Sequence, residues 1–266
     1  MTCLVNIPHH AKAFFVKEQP AETHLVSPSL TSRRGGPTAF EVKFVIDEAT
    51  AQEIERWSLQ HLEVDPFCLK QPDGTYCITS LYTDTPAFDV YHRAPLYRRR
   101  KFRLRRYGTE GTIHLERKAR RGERVSKHRT SVHQSELVFL GEPEARSDWQ
   151  GAWFHERLLR KSLQPACVLV YKRAAYLASS SEGPLRLTID RQIQGQLSSR
   201  WHVGLTAEPQ SILPGQAILE LKFREAMPSL YKQLVADFQL TASGFSKYRR
   251  CLDTCGLPLP TVVTKE

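Results

Sequence analysis

The feature that most constrains the fold is a set of short segments in which apolar and charged residues alternate. One side of each reads as core and the other as a row of charge. FEVKFVI at residues 40–46, FRLRRY at 102–107, TIHLERK at 112–118, LRLTID at 185–190 and AILELKF at 217–223 all keep this two-residue rhythm. Successive side chains of a β-strand point to opposite faces, so the period specifies strands with one apolar and one polar face. Further strand patterns occupy 76–83, 125–132 and 166–174. Strands joined mostly by turns and broken by a few helices predict an α+β fold, an eight-stranded antiparallel β-barrel or curled sheet decorated with helices.

The helices have local signals. Asp47 is placed to cap a helix whose apolar side runs through Ala51, Ile54 and Trp57. A short helix is expected over 86–92, and a longer one between Asp148 and Leu163. Another is opened by Pro228, and a last turn or two follows Phe245. Residues 1–38 scatter Pro, Ser and His without a period and read as a flexible arm, in which the His9–His10 pair is incidental. One domain is expected over 39–256, with a tail at 257–266. No stretch approaches the roughly 18 apolar residues of a membrane span, and no signal peptide opens the chain, so a cytoplasmic protein is expected. The six cysteines contain no CxxC motif, which argues against a zinc ribbon or a disulfide framework; Cys251 and Cys255 share a helix face without a second ligand pair.

The 38 Lys and Arg exceed the 28 acidic residues, for a formal charge of +10. An anionic partner is therefore expected. Three strands carry a carboxylate two residues before a lysine: Glu41 with Lys43, Glu116 with Lys118, and Glu220 with Lys222. These faces either look at water, where such pairs contribute about 0 to 1 kcal/mol, or share a cavity. Arg99, Lys101, Arg103 and Arg105 favour the cavity, because like charges along one strand face repel unless they jointly meet a polyanion. Arg186, beside Thr188 and Asp190, adds another cation of this kind, and Arg173 follows the apolar run 168–171.

Guanidinium forks and mobile ammonium groups suit phosphate. Carboxylates among them make sense if they hold a hard divalent ion such as Mg2+ or Mn2+. Asp190 reads either as a second metal ligand or as a structural acceptor. Tyr82, Tyr91, Phe102 and Tyr107 could stack on single-stranded nucleic acid, but Phe102 lies on the face opposite Arg103 and Arg105, and no nucleic acid is expected.

These segments, with VYHR, the lysine of VSKHR, YKRAAY and FSKY, occur in an order that resembles the vacuolar transporter chaperone (VTC) domain. That family comprises polyphosphate polymerases of the CYTH-like triphosphate tunnel metalloenzyme superfamily. The resemblance implies a tunnel that takes ATP and inorganic polyphosphate. It implies catalytic roles for Lys43, Arg103, Arg105, Lys118 and Lys247, and phosphate or nucleotide contacts for Arg93, Lys127, Arg173, Arg186, Lys222 and Ser246. It implies a metal at Glu220, with Glu41, Glu116 and Asp190 as weaker candidates; Glu41 and Glu116 could instead tune their lysines. Two positions depart from the family pattern: Gly244 stands where a lysine is common, and Arg106 where a Trp is common. A stand-alone domain without the family's phosphate-sensing SPX domain or membrane helices is implied. The reaction implied is ATP-dependent, metal-requiring polyphosphate synthesis. An inorganic triphosphatase and a non-catalytic polyphosphate-binding module are the alternatives, and no protein partner is assigned.

Overall fold

The computed structural model describes residues 39–121, 124–180 and 183–257. The arm at 1–38, with His9 and His10, and the tail beyond 257 lie outside the described residues. The strands are β1 (Phe40–Asp47), β2 (Glu63–Val64), β3 (Tyr76–Asp84), β4 (Arg100–Tyr107), β5 (Thr112–Arg121), β6 (Arg124–His133), β7 (Gln164–Ser180), β8 (Gly183–Leu197), β9 (Gln210–Ser211) and β10 (Gln216–Phe223). The α-helices are α1 (Glu48–His61), α2 (Pro66–Leu69), α3 (Ala152–Arg160), α4 (Ser229–Asp237) and α5 (Lys247–Cys255), with a 3-10 helix over Gln134–Gly141.

Eight strands form one antiparallel path in the order β1-β10-β8-β7-β3-β4-β5-β6, with β2 on β7 and β9 on β8 as short additions. The expected strand number and direction are therefore present. Closure differs from a full barrel. The edge strands β1 and β6 have no continuous ladder and meet at one bridge, where the Val125 N–H donates to the Ala39 carbonyl at 3.3 Å. Beside it, Lys118 of β5 reaches across to Glu41 of β1.

The apolar faces point outward and are covered by helices. Phe44, Ile46, Leu187, Ile189, Leu219 and Leu221 pack against Ala51 and Ile54 of α1 and Tyr231 and Leu234 of α4. On the other flank, Phe102, Leu104, Ile113 and Leu115 pack with Phe154 and Leu158 of α3 and with Leu137 and Leu140 of the 3-10 helix. Burial of such side chains contributes about 1.5–3 kcal/mol each, so the core lies between sheet and helices. The charged faces are thereby turned toward the hollow of the curl.

Several local readings hold and others shift. Asp47 caps α1, accepting the Thr50 N–H at 2.7 Å. No helix forms over 86–92: Asp84 instead accepts the N–H groups of Thr85, Val90 and Tyr91 and winds that segment into turns. Such side-chain acceptors offer the backbone an alternative to helical bonding. Arg99 precedes β4 and is exposed, so it does not share the inward face of Lys101, Arg103 and Arg105. Helix α5 lies on the side of β7 and β8 that carries Tyr171 and Arg173. Its approach requires Gly195, where a Cβ would lie 2.6 Å from Cys251 Sγ. Cys251 and Cys255 are 3.9 Å apart, Cys255 donates to the Gly195 carbonyl, and all five described cysteines are free.

Candidate functional site

The inward residues form charge clusters built by strand register. Glu116 on β5 lies between Arg103 of β4 and Arg129 of β6, its direct neighbours in the sheet. It is fully buried, and it accepts Arg103 Nε at 2.7 Å, Arg129 Nε at 2.8 Å and Lys127 Nζ at 2.5 Å. Burial, which by itself raises a carboxyl, is outweighed by Arg103 and Lys127, and Glu116 is held well below the usual range. All of its lone pairs are committed to cations, so it orders the guanidinium groups.

Asp190 on β8 does the same on the opposite wall. Arg173, directly across on β7, holds it by two points, and Lys247 Nζ reaches it at 2.5 Å from α5. Burial is again outweighed, and Asp190 sits at about 2. Arg186 turns away from Asp190: its Nη2 donates to Asp65 at 2.8 Å and to the Tyr76 hydroxyl at 3.1 Å.

Of the remaining carboxylates, Glu41 is bonded closely to Lys118 and Glu220 is held at longer range. Glu220 lies 3.4 Å from Lys43 and 3.3 Å from Lys222, while Glu41 pairs with Lys118 and lies 3.2 Å from Lys222. Their strands are adjacent, with Glu41 paired to Lys222 and Lys43 to Glu220, so the two carboxylates are diagonal neighbours. Thr188, opposite Glu220 on β8, has a buried hydroxyl with no hydrogen-bond partner among the described residues.

This donor set fits a hard divalent ion. Magnesium is commonly held by one or two carboxylates together with water and substrate phosphate oxygens. Glu41 and Glu220 supply the carboxylates, and Thr188 leaves an oxygen unpaired beside them. Glu116 and Asp190, saturated by Arg and Lys, fit such an ion poorly. No cluster of three His, Cys, Asp or Glu suited to a metal occurs among the described residues.

Cations exceed carboxylates on this face, and two observations mark the excess. Arg105 is 5% exposed and, among the described residues, donates to neutral oxygens only, Ser80 Oγ at 3.1 Å and Tyr171 Oη at 3.0 Å. Lys101 donates to Ser246 Oγ at 2.8 Å and has no carboxylate partner among the described residues. Burial, with Lys43 and Lys118 nearby, pushes Lys101 down to about 7. Lys127, also buried, is pushed to about 7 even beside Glu116.

Of the residues expected to contact phosphate, Arg93 is not brought to this face; it is exposed on the turn after β3, at φ 58°. Arg129 was not singled out by the sequence reading, although it lies two residues beyond Lys127 and parity alone places it on the same face. Tyr82 and Phe102 are buried in packing, against Tyr248 and Phe154 respectively, and offer no free ring for base stacking.

An antiparallel sheet curled around a cation-lined face, with carboxylates set among the cations, defines an anion-binding tunnel domain. The chain belongs to the VTC domain family, whose model matches residues 38–255. Among solved structures, the Hippeastrum protein HpAC1, in which a dominant triphosphatase activity is found, is 14% identical with a TM-score of 0.47; the match covers 83% of this chain and 98% of that one. The PH1819 protein from Pyrococcus horikoshii is 13% identical with a TM-score of 0.45, covering 81% of this chain and 99% of that one. No curated protein matches the chain in sequence. No helix among the described residues is long and apolar enough to cross a membrane.

Proposed function

We propose that this domain, taken as residues 39–256, is an ATP-dependent, divalent-metal-requiring polyphosphate polymerase. In the proposed reaction a terminal oxygen of the acceptor chain attacks the γ-phosphorus of ATP, the bond to the β-phosphate oxygen breaks, and ADP leaves. Membership of the VTC family supports the substrate class. The observation that carries the reading is Arg105, a buried guanidinium with neutral partners only, set beside a Glu116-ordered Arg103. Glu116 meets the Arg105 charge only at a distance, and a phosphate oxyanion would supply the charge-assisted hydrogen bonds that the neutral partners of Arg105 do not.

Phosphoryl transfer of this kind depends on positioning and charge neutralisation. Arg103 and Arg105 are oriented to bind and align phosphate oxygens. Lys43, Lys118, Lys222 and Lys127 supply mobile charge along the chain, and Lys247 and Arg173 hold the wall through Asp190. The acceptor oxygen is already ionised, so no side chain is needed as general base. Glu220 and Glu41 would hold Mg2+ or Mn2+, which supplies screening of the charge that develops on the transferred group. The five described cysteines form no disulfide, which supports a reducing compartment and with it the cytoplasm.

Incubation of the purified protein with ATP and manganese tests the reading. Long polyphosphate is the expected product. Free phosphate without polymer would mark a triphosphatase instead, and neither product would leave a binding module.

A further inference from the structure

Three guanidinium groups of the inward face each donate to a tyrosine hydroxyl. Arg103 Nη1 reaches Tyr82 at 3.2 Å, Arg105 Nη2 reaches Tyr171 at 3.0 Å, and Arg129 Nη2 reaches Tyr107 at 2.9 Å. Tyr82 and Tyr171 are buried, whereas Tyr107, the last residue of β4, is half-buried. The centre of the Tyr107 ring lies 5.6 Å from the Arg129 guanidinium and 6.0 Å from that of Arg105. Lys127 of β6 faces it as well. From β5 come Glu116, whose oxygens are taken by Arg103, Lys127 and Arg129, and His114, whose ring lies edge-on at 5.4 Å. Tyr76 of β3 and the apolar Phe67 of α2 complete the surroundings. Burial and Arg129 push His114 down to about 4, and burial raises Tyr76, so both are neutral near pH 7. The three cations on Glu116, with Arg105 beside them, exceed its single negative charge. Burial by itself would raise the Tyr107 phenol, but Arg105 and Arg129 outweigh it and bring the phenol to about 7.

We infer that Tyr107 is an exchangeable counter-charge of the tunnel: as the phenolate it balances Arg129 and Arg105 in the free protein, and it is reprotonated when a phosphate chain brings its own negative charge to them. One proton passes from solvent to the phenolate oxygen as the chain enters and returns to solvent as it leaves. This rests on the phosphate-chain reading above and adds a control of that site by pH. The geometry suits the exchange, because the guanidinium donates and either a phenol or a phenolate oxygen accepts. Arg129 therefore keeps its place while the charge on its partner changes. A carboxylate at 107 would compete with phosphate throughout the neutral range; a phenol competes only above its own pKa.

The test follows the near-ultraviolet absorbance of tyrosinate in the full chain during a pH titration, with and without tripolyphosphate. The free protein should form about one phenolate near pH 7, well below the ordinary tyrosine range. Saturating tripolyphosphate at about pH 8.5 should abolish that signal. Tyr107→Phe should lack the step, and between about pH 7 and pH 9 its affinity for tripolyphosphate should fall about tenfold less than that of the parent. A low step that persists in Tyr107→Phe, or a parent with no phenolate below about pH 9.5, would overturn the assignment and leave the phosphate-chain reading standing. So would a phenolate signal that survives tripolyphosphate binding. A parent protein that binds no tripolyphosphate at any pH would overturn both.

Discussion

Arg173 and Asp190 face each other directly across β7 and β8 and are joined at two points, Nε to Oδ1 at 2.6 Å and Nη2 to Oδ2 at 2.7 Å. Asp190 is fully buried and also receives Lys247, so one carboxylate ties the tunnel wall to α5. Removing one partner of a buried pair leaves an uncompensated charge, here two. Asp190→Ala should lower unfolding free energy by about 3–5 kcal/mol, read from the urea midpoint. The double variant Arg173→Ala/Asp190→Ala should cost less than the sum of the singles.

The buried carboxylates set the acid limit of stability. Asp190 and Glu41 sit at about 2, against ordinary values of 3.8 and 4.5. The unfolded chain therefore takes up protons at pH values where the folded chain does not. Their stabilisation is complete above the ordinary values and is lost as pH falls from about 4.5 toward 2. Urea midpoints should drop steeply between about pH 5 and pH 3, and Asp190→Asn should flatten part of that fall.

Lys101 shifts stability with pH in the same direction, over a higher range. Its pKa is about 7 in the folded protein against 10.5 ordinarily, so the unfolded chain holds more protons between those values and stability rises with pH there. A bound polyanion favours the charged ammonium. Binding of long polyphosphate near pH 8 should therefore take up protons, seen as a calorimetric heat that varies with buffer ionisation enthalpy. Lys101→Met should reduce that variation, and an unchanged variation would remove Lys101 from the binding path.

Glu220 is held by its lysines at 3.3 and 3.4 Å, longer than charge-assisted hydrogen bonds. It is buried, and against that burial Lys43 and Lys222 hold it well below the ordinary carboxyl range, so Glu220→Ala should keep the fold but lower the unfolding free energy by about 1–3 kcal/mol. Metal-dependent turnover should fall by about two orders of magnitude or more. Tripolyphosphate binding without metal should hold or tighten, because Lys43 and Lys222 are released toward the ligand. Weaker metal-free binding would contradict a role for Glu220 confined to the metal.

The strands were legible in the sequence because pleat alternation is a local steric property. FRLRRY and ILELKF declare their faces without reference to the rest of the chain. The 3-10 helix at Gln134–Gly141 was not legible, since it lacks a sustained period and depends on His133 and Glu136 capping one another. The turns at 86–92 depend on Asp84, a buried acceptor whose commitment becomes visible only when the backbone folds around it.

From its sequence alone this protein had its charged strand faces and the residues on them, including each Glu-x-Lys pair. The tertiary structure decided which charges meet. Glu41 pairs with Lys118 and Lys222, Lys43 with Glu220, and Glu116 with Arg103, Lys127 and Arg129; only Glu220 and Lys222 also pair along their own strand. The reason is distance. Two steps along a strand span roughly 6.5–7 Å, whereas opposed residues of neighbouring strands lie roughly 4.5–5.5 Å apart. Which strands become neighbours is settled by pairings such as β1 with β10, which join residues far apart in the chain, and no local pattern records them.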